Sequence, residues 1–239
     1  MIKDYWVIVP AAGIGRRMGA DRPKQYLPLL GRPLLSLTLR NILGWSGLAG
    51  VVVSLSEQDT YFSHLKEANH PLVHRVIGGA ERADSVLSAL DFLAQRVSGD
   101  TPVLVHDAAR PCVSERDIYA LLSDNVSSMA LLARPACDTI KQSHRVGGET
   151  YVEKTVSREN IWLAQTPQRA PLNTLHSCLG KAMEQGVAVT DEASALELFG
   201  HSLQLVTGDS DNIKVTHPAD IVIAETILRL RYSPTEDKR

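Results

Sequence analysis

The sequence predicts an α/β fold, with a mostly parallel central sheet covered by helices on both faces. Short apolar runs alternate with segments of helical periodicity along most of the 239 residues, the pattern of repeated strand–helix units. Turn-forming stretches such as Pro10-Ala-Ala-Gly13 and Gly31-Arg-Pro33 separate them. Residues 5–9 are a short apolar run before a turn and read as a buried strand. Residues 33–45 read as a helix with proline in its first turn. A strand at 50–55, a helix at 57–67 and a strand at 72–77 follow. From 81 to 97, Val86, Leu90, Leu93 and Val97 sit at helical spacing. Residues 102–105 form another strand, Ser114 can cap the helix after it, and 128–133 read as a strand. The last third predicts a strand near 161–165, helices at 171–185 and 191–199, a strand at 202–206 and a helix at 217–231.

Residues 137–160 break this rhythm. Two polar stretches flank Gly147-Gly148, which suggests a hairpin. An isolated hairpin is marginal in water, and this one has too few apolar residues for its own core. It reads either as a flexible surface loop or as an arm that packs on a second subunit. The expectation is a single domain over 1–232 that includes this arm, followed by a polar, frayed tail at 233–239.

Composition narrows the function classes. The chain is 44% hydrophobic and 22% charged, with a formal net charge of −2, so no bulk attraction to nucleic acid or membrane is expected. No apolar run approaches the roughly 18 residues of a membrane span. The three cysteines, Cys112, Cys137 and Cys178, are far apart and fit a reducing cytoplasm. The start of the chain shows neither a signal-peptide nor a transit pattern. The eight histidines lack zinc-ligand spacing.

The chemistry concentrates in loops after strands, where α/β sheets bind ligands. The first is Pro10-Ala-Ala-Gly-Ile-Gly-Arg-Arg-Met-Gly19 with Arg22-Pro-Lys-Gln25. Ala11, Ala12, Gly13 and Gly15 let backbone N–H groups approach an anion, and Arg16, Arg17 and Lys24 add positive charge. Gly13, Gly15 and Gly19 miss the dinucleotide-binding spacing by one residue, and the Gly-Lys-Ser/Thr of a Walker A loop is absent. The second is Gly78-Gly-Ala-Glu-Arg-Ala-Asp-Ser85, between a strand and a helix. Asp84 and Glu81 suit a helix N-terminus, which leaves the double glycine unexplained. The third is Val103-Leu-Val-His-Asp-Ala-Ala-Arg-Pro111. A carboxylate there, Asp107, is a natural Mg²⁺ ligand beside phosphates, or simply a turn residue. His106 reads as structural. Thr139, Arg158, Thr166-Pro-Gln168, Thr190-Asp-Glu-Ala193 and Asp211-Asn-Ile-Lys-Val-Thr216 offer the hydroxyls and cations that a phosphorylated polyol needs. Each of these alone is an ordinary surface residue.

Taken together, PAAGIGRRM, RPKQY, GGAERADS, HDAARP, DTIK, TPQ, TDEASALE and DNIKVT resemble the 2-C-methyl-D-erythritol 4-phosphate cytidylyltransferases, in order from about Val7 to Asp220. The resemblance implies a Rossmann-like nucleotidyltransferase domain with a protruding β-arm that mediates homodimerisation. It implies CTP and methylerythritol phosphate as substrates, Mg²⁺ as cofactor, and pyrophosphate and the CDP-linked alcohol as products. On matching positions, Arg17 and Lys24 stabilise transition-state charge, and Asp107, with Asp211, holds the metal. Ala11, Ala12, Gly13, Gly79, Ala80 and Ser85 bind the nucleotide, reading cytosine mostly through backbone groups. Arg158 and Lys214 position the acceptor phosphate, and Asp107, Arg110, Thr139, Thr166 and Thr190 line the acceptor site. Thr139 and Arg158 lie at the arm and are expected to act in the partner subunit's site.

The family often has Asp where this chain has Ala80. If that position is read through its main chain, cytosine selectivity survives. The alternatives are a cytidylyltransferase for ribitol 5-phosphate or another sugar phosphate, and a nucleotide-binding regulatory module without turnover. A fused form carrying the later cyclase step is not expected at this length.

Overall fold

The computed structural model describes residues 4–13, 22–123 and 125–232. At its centre, strand β1 (Tyr5–Pro10) pairs in parallel with β4 (Leu48–Leu55) on one side and β6 (Pro102–Val105) on the other. β5 (Val73–Ile77) extends the sheet beyond β4, again in parallel, while β2 (Pro28–Leu29) and β3 (Arg32–Pro33) form a separate short antiparallel pair. Beyond β6 come β10 (Trp162–Pro171), β7 (Ala130–Pro135) and β11 (Gln204–Thr207), giving the seven-stranded order β11-β7-β10-β6-β1-β4-β5.

The period-2 alternation of strand side chains divides the core in two. Tyr5, Val7 and Val9 of β1, with Val51 and Val53 of β4, pack on one face. Helix α1 (Leu34–Leu43) covers that face through Leu35, Leu39 and Ile42, with help from α3 (Glu115–Leu121). Ile8, Val52, Val103 and Val105 face the other side. There α2 (Arg82–Ala94), α4 (Leu172–Glu184) and α5 (Glu192–Leu198) bury Val86, Leu90, Leu93, Leu175, Leu179 and Leu196. Helix α6 (Pro218–Tyr232) closes a third cluster over Leu29, Leu34, Cys112 and Val215. No helix among the described residues is long and apolar enough to cross a membrane.

Two elements depart from the sequence expectation. Residues 57–67 form two 3₁₀ turns, Phe62–His64 and Lys66–Asn69, instead of one helix. The Asp59 carboxylate accepts the N–H groups of Tyr61 and Phe62 and the hydroxyl of Tyr26, at 3.1, 2.9 and 2.6 Å. Leu65 then returns to extended backbone (φ −77°, ψ 140°), so a helix cannot propagate. Phe62 and Leu65 both reach the core this way. The strand expected near 161–165 is the longer β10, and it runs antiparallel to both its neighbours. Its pairing with β7 shifts register between Ala164 and Gln168. The tail at 233–239 lies outside the described residues.

Residues 137–160 contain a hairpin with its own two-stranded sheet, β8 (Ile140–Val146) and β9 (Glu149–Val156). Gly147 and Gly148 have φ of +59° and +91°, the backbone of a tight hairpin turn. Lys141 Nζ donates to Thr155 Oγ1 at 2.7 Å, and His144 stacks on Tyr151.

Candidate active site

Because β1, β4, β5 and β6 are parallel, the loops that leave their carboxyl ends converge at one edge of the sheet. The first loop continues the ladder, with Ala11 N–H donating to Ser54 O at 2.8 Å. The buried Gln25 amide donates to Ala11 O at 2.7 Å. This tie brings the Pro23–Lys24 segment alongside Ala12 and Gly13.

The second loop accounts for the double glycine. A Cβ on Gly78 would lie 2.6 Å from Ser85 Oγ and 2.9 Å from Ala12 Cβ, and one on Gly79 would lie 2.2 Å from Asp84 Cβ. Asp84 cannot retreat, since its carboxylate accepts the Glu81 N–H at 2.8 Å and opens α2. Ser85 is buried and its hydroxyl donates to Glu81 O at 3.2 Å.

Asp107 stands at the centre, at the end of β6. Its carboxylate meets Lys214 Nζ at 2.8 Å, Arg82 Nε at 3.3 Å and Arg110 Nε at 3.4 Å. Burial alone raises the pKa of this carboxyl, but the charges of Arg82, Lys214 and Arg110 outweigh it and hold the group well below the usual carboxylate range. Asp107 is therefore an anion at any working pH. Each cation is brought in from a different element. Val215 N–H donates to Ala109 O at 2.8 Å, which fixes the loop carrying Lys214 against the Asp107–Arg110 turn. Arg110 Nη1 donates to Asn212 O at 2.6 Å. Arg82 reaches in from the first turn of α2, its outer edge held by Glu192.

Behind Asp107 the site is buried. Asp107 N–H donates to Thr166 Oγ1 at 3.0 Å, and Thr166 Oγ1 lies 3.1 Å from His106 Nδ1. His106 Nε2 lies 3.0 Å from Arg110 O. A carbonyl only accepts, so Nε2 carries the proton and Nδ1 accepts the Thr166 hydroxyl. Burial pushes His106 down to about 4, so it is a neutral spacer, as its sequence context suggests.

The three loops enclose a cleft of about 310 Å³, the size of a small-ligand site. Of the residues singled out from sequence, Ala11, Ala12, Gly13, Lys24, Gly79, Ala80, Ser85, Asp107 and Lys214 line it together. Arg110 and Thr166 support Asp107 from behind. Thr139 and Arg158 sit at the base of the hairpin, where Arg158 donates to Cys137 O. Thr190 borders a separate concavity with Ile161 and Trp162. Asp211 pairs with Arg231 at 3.4 Å and is not on the cleft wall. Arg17, with Arg16 and Gly15, lies outside the described residues. The structure gives roles to Arg82, Glu192 and Gln25, which lie within the quoted motifs but receive none from the sequence.

The described residues contain no group of three or more His, Cys, Asp or Glu side chains able to hold a metal. Mg²⁺ beside phosphates needs only one or two carboxylates, the phosphates supplying further oxygens. Asp107 fits that role, since it is ionised, faces the cleft and has two long cation contacts that leave lone pairs open.

A family model described as 2-C-methyl-D-erythritol 4-phosphate cytidylyltransferase matches residues 5–230. A protein of that name from Vibrio vulnificus (strain YJ016) is 49% identical over 223 residues, covering 92% of this chain and 93% of its own. Another, from Halorhodospira halophila, is 46% identical and covers 97% of both chains. The crystal structure of the Francisella tularensis protein of that name matches with a TM-score of 0.80 at 35% identity, over 94% of this chain and 100% of that one. The matched span takes in every strand of the sheet and all three loops of the cleft, and the chain belongs to the 2-C-methyl-D-erythritol 4-phosphate cytidylyltransferase family.

Proposed function

We propose that this cleft transfers CMP from CTP to 2-C-methyl-D-erythritol 4-phosphate, giving 4-diphosphocytidyl-2-C-methyl-D-erythritol and pyrophosphate, in the cytoplasm, for non-mevalonate isoprenoid precursor synthesis. The observation that carries this reading is that Lys24, Arg82 and Lys214 line one cleft with Asp107, which pairs with Arg82 and Lys214. An oxygen of the acceptor phosphate attacks the α-phosphorus of CTP. The new O–Pα bond forms as the bond to the β-phosphate oxygen breaks, and pyrophosphate carries away the electron pair. No enzyme nucleophile is needed.

The barrier is electrostatic. Two unit charges about 4 Å apart repel by roughly 4 kcal/mol at an effective dielectric near 20, and several such pairs meet here. Cations fixed beforehand on separate loops lower that cost without reorganising during the reaction. Arg17 and Lys24 neutralise the developing charge, and Lys214 positions the acceptor phosphate. Asp107 would hold Mg²⁺, which neutralises phosphate charge when bound. With Asp211 turned towards Arg231, the metal role rests on Asp107. Backbone groups of Ala11, Ala12, Gly13, Gly79 and Ala80, beside Ser85, receive the nucleotide, so cytosine selectivity does not require a side chain at Ala80.

The hairpin serves as a dimerisation arm. Its exposed Val146, Tyr151 and Val152 support packing on a second copy, which would carry Thr139 and Arg158 to the partner's acceptor site, where Arg110 and Thr166 act from behind Asp107 and Thr190 lies to the side. Pyrophosphate release, measured with each pairing of CTP or UTP with methylerythritol phosphate or ribitol 5-phosphate, tests the reaction. Turnover is expected with CTP and methylerythritol phosphate. Faster turnover with ribitol 5-phosphate, or nucleotide binding without product, would replace this reading. Arg158→Ala should raise the KM for the acceptor while leaving CTP binding intact.

A further inference from the structure

Asp107 is held by three cations, and two of these are themselves held. Arg82 presents its Nε edge to Asp107 Oδ1 at 3.3 Å and its outer edge to Glu192, Nη1 to Oε1 at 2.7 Å and Nη2 to Oε2 at 3.0 Å. Glu192 is 3% exposed, and it cannot swing. It is the first residue of α5, whose start is clamped to β10 by Gln168. Gln168 Oε1 accepts the Ala193 N–H at 2.8 Å, and Gln168 Nε2 donates to Asp191 at 2.8 Å. Asp191 in turn caps α5 by accepting the Ser194 N–H at 2.9 Å. A rigid path therefore runs from the sheet through Gln168, α5, Glu192 and Arg82 to the carboxylate in the cleft.

We propose that Glu192 is a positioning residue for the transfer: by gripping Arg82 end-on, it limits Arg82 to a single contact with Asp107 and keeps that carboxylate turned towards the cleft. The inference rests on the transfer reading above. A buried ion pair joining α2 to α5 is weak grounds for stability, because desolvation offsets its attraction. What this pair does achieve is geometric. Only a guanidinium offers one edge to each carboxylate, and a lysine ammonium does not. Without the Glu192 charge, the fork of Arg82 is free to close on both oxygens of Asp107, which would take them from Lys214 and from any metal.

The test sets rate against affinity. Glu192→Gln keeps the side-chain volume and removes one negative charge from behind Arg82 on the cleft wall. Simple electrostatics therefore predicts equal or tighter CTP binding, measured by calorimetry without acceptor. Loss of positioning predicts that kcat falls about 10- to 100-fold in the same variant, as for other supporting contacts around a catalytic group. Arg82→Met combined with Glu192→Met removes both charges. Its thermal midpoint should return towards wild type while kcat stays low. Turnover of Glu192→Gln within about twofold of wild type would overturn the proposal. So would a kcat that recovers with stability in the double variant, since the pair would then be merely structural. If Glu192→Gln does not fold, Glu192→Asp, which keeps the charge but shortens its reach to Arg82, replaces it: kcat should fall with CTP affinity held, and turnover within about twofold of wild type would overturn the proposal. Wild-type protein inactive with CTP and methylerythritol phosphate would instead overturn the transfer reading itself.

Discussion

The chain contains two Gly-Gly pairs, and they are glycine for opposite reasons. In the cleft, Gly78 and Gly79 have no room for a Cβ, which would meet Ser85, Ala12 or Asp84 at 2.9 Å or less. In the arm, a Cβ on Gly147 or Gly148 would meet nothing within 4 Å. There the backbone itself requires glycine, with φ of +59° and +91°. One pair is dictated by residues that the fold brings close, and the other by the turn alone. The rest of each region follows the same division. The cleft is buried and cross-tied between distant segments, whereas the arm is exposed and bonded chiefly to itself.

The contrast predicts large effects in the cleft. Asp107→Asn removes the charge on which Lys214, Arg82 and Arg110 converge. Transfer should fall by about 10²–10³-fold, the loss seen when one preorganised electrostatic group is removed. Breaking a buried pair from one side costs about 3–5 kcal/mol, so the variant should also melt earlier. A near-normal rate with CTP and acceptor would mean that the cation cluster is not where the chemistry occurs.

The second prediction concerns pH. His106 lies buried beneath the cleft with its pKa lowered to about 4, against 6.5 when exposed. Between those values the unfolded chain binds a proton that the folded chain refuses. Stability conferred by neutral His106 is complete above about pH 6.5 and is lost as pH falls towards 4, by up to about 3 kcal/mol. Asp107, held below its ordinary value, loses its contribution only at still lower pH. Urea unfolding at pH 7 and pH 4.5 should show the drop, and His106→Asn should remove most of it. An equal drop in that variant would assign the sensitivity elsewhere.

The same division decides what the sequence could reveal. The parallel core was legible because apolar runs and helical spacing are local, and β1, β4, β6 and α2 lie where those patterns put them. The loops were legible as phosphate-binding candidates because small residues, cations and Asp107 are neighbours in sequence. The direction of β10 was not legible, since an apolar run carries no polarity of pairing. Nor was the Arg82–Glu192 pair, whose members are 110 residues apart. Arg82 reads as an ordinary first-turn residue of a helix until the fold sets it between two carboxylates. Residues 57–67 misled because Asp59, Tyr26 and the core position of Leu65 overrode local helix propensity.

A third prediction sharpens the comparison of the glycines. Gly79→Ala drives a methyl group into Asp84, the residue that opens α2. Overpacking of this kind costs about 1–3 kcal/mol, and relief by moving the loop would misplace the backbone proposed to receive the nucleotide. Both the melting midpoint and CTP affinity should fall. An unchanged CTP affinity would show that this loop does not touch the nucleotide.

The smallest effect belongs to the arm, and its size should depend on protein concentration. Gly148→Ala has space for its methyl but must hold a left-handed backbone, at about 1–2 kcal/mol. That strain acts on a hairpin with its own two-stranded sheet, so it should open the arm locally, with faster amide exchange over β8 and β9. In dilute solution the melting midpoint of the body should hardly move. At concentrations that favour a dimer, a docked arm couples its strain to assembly by mass action, and the difference from wild type should grow. Gly147→Asn, which leaves an Asn-Gly turn of the kind hairpins prefer, should show neither effect. A Gly148→Ala shift that is large and independent of concentration would mean that the arm belongs to the body's own core, and the contrast between the two glycine pairs would fail.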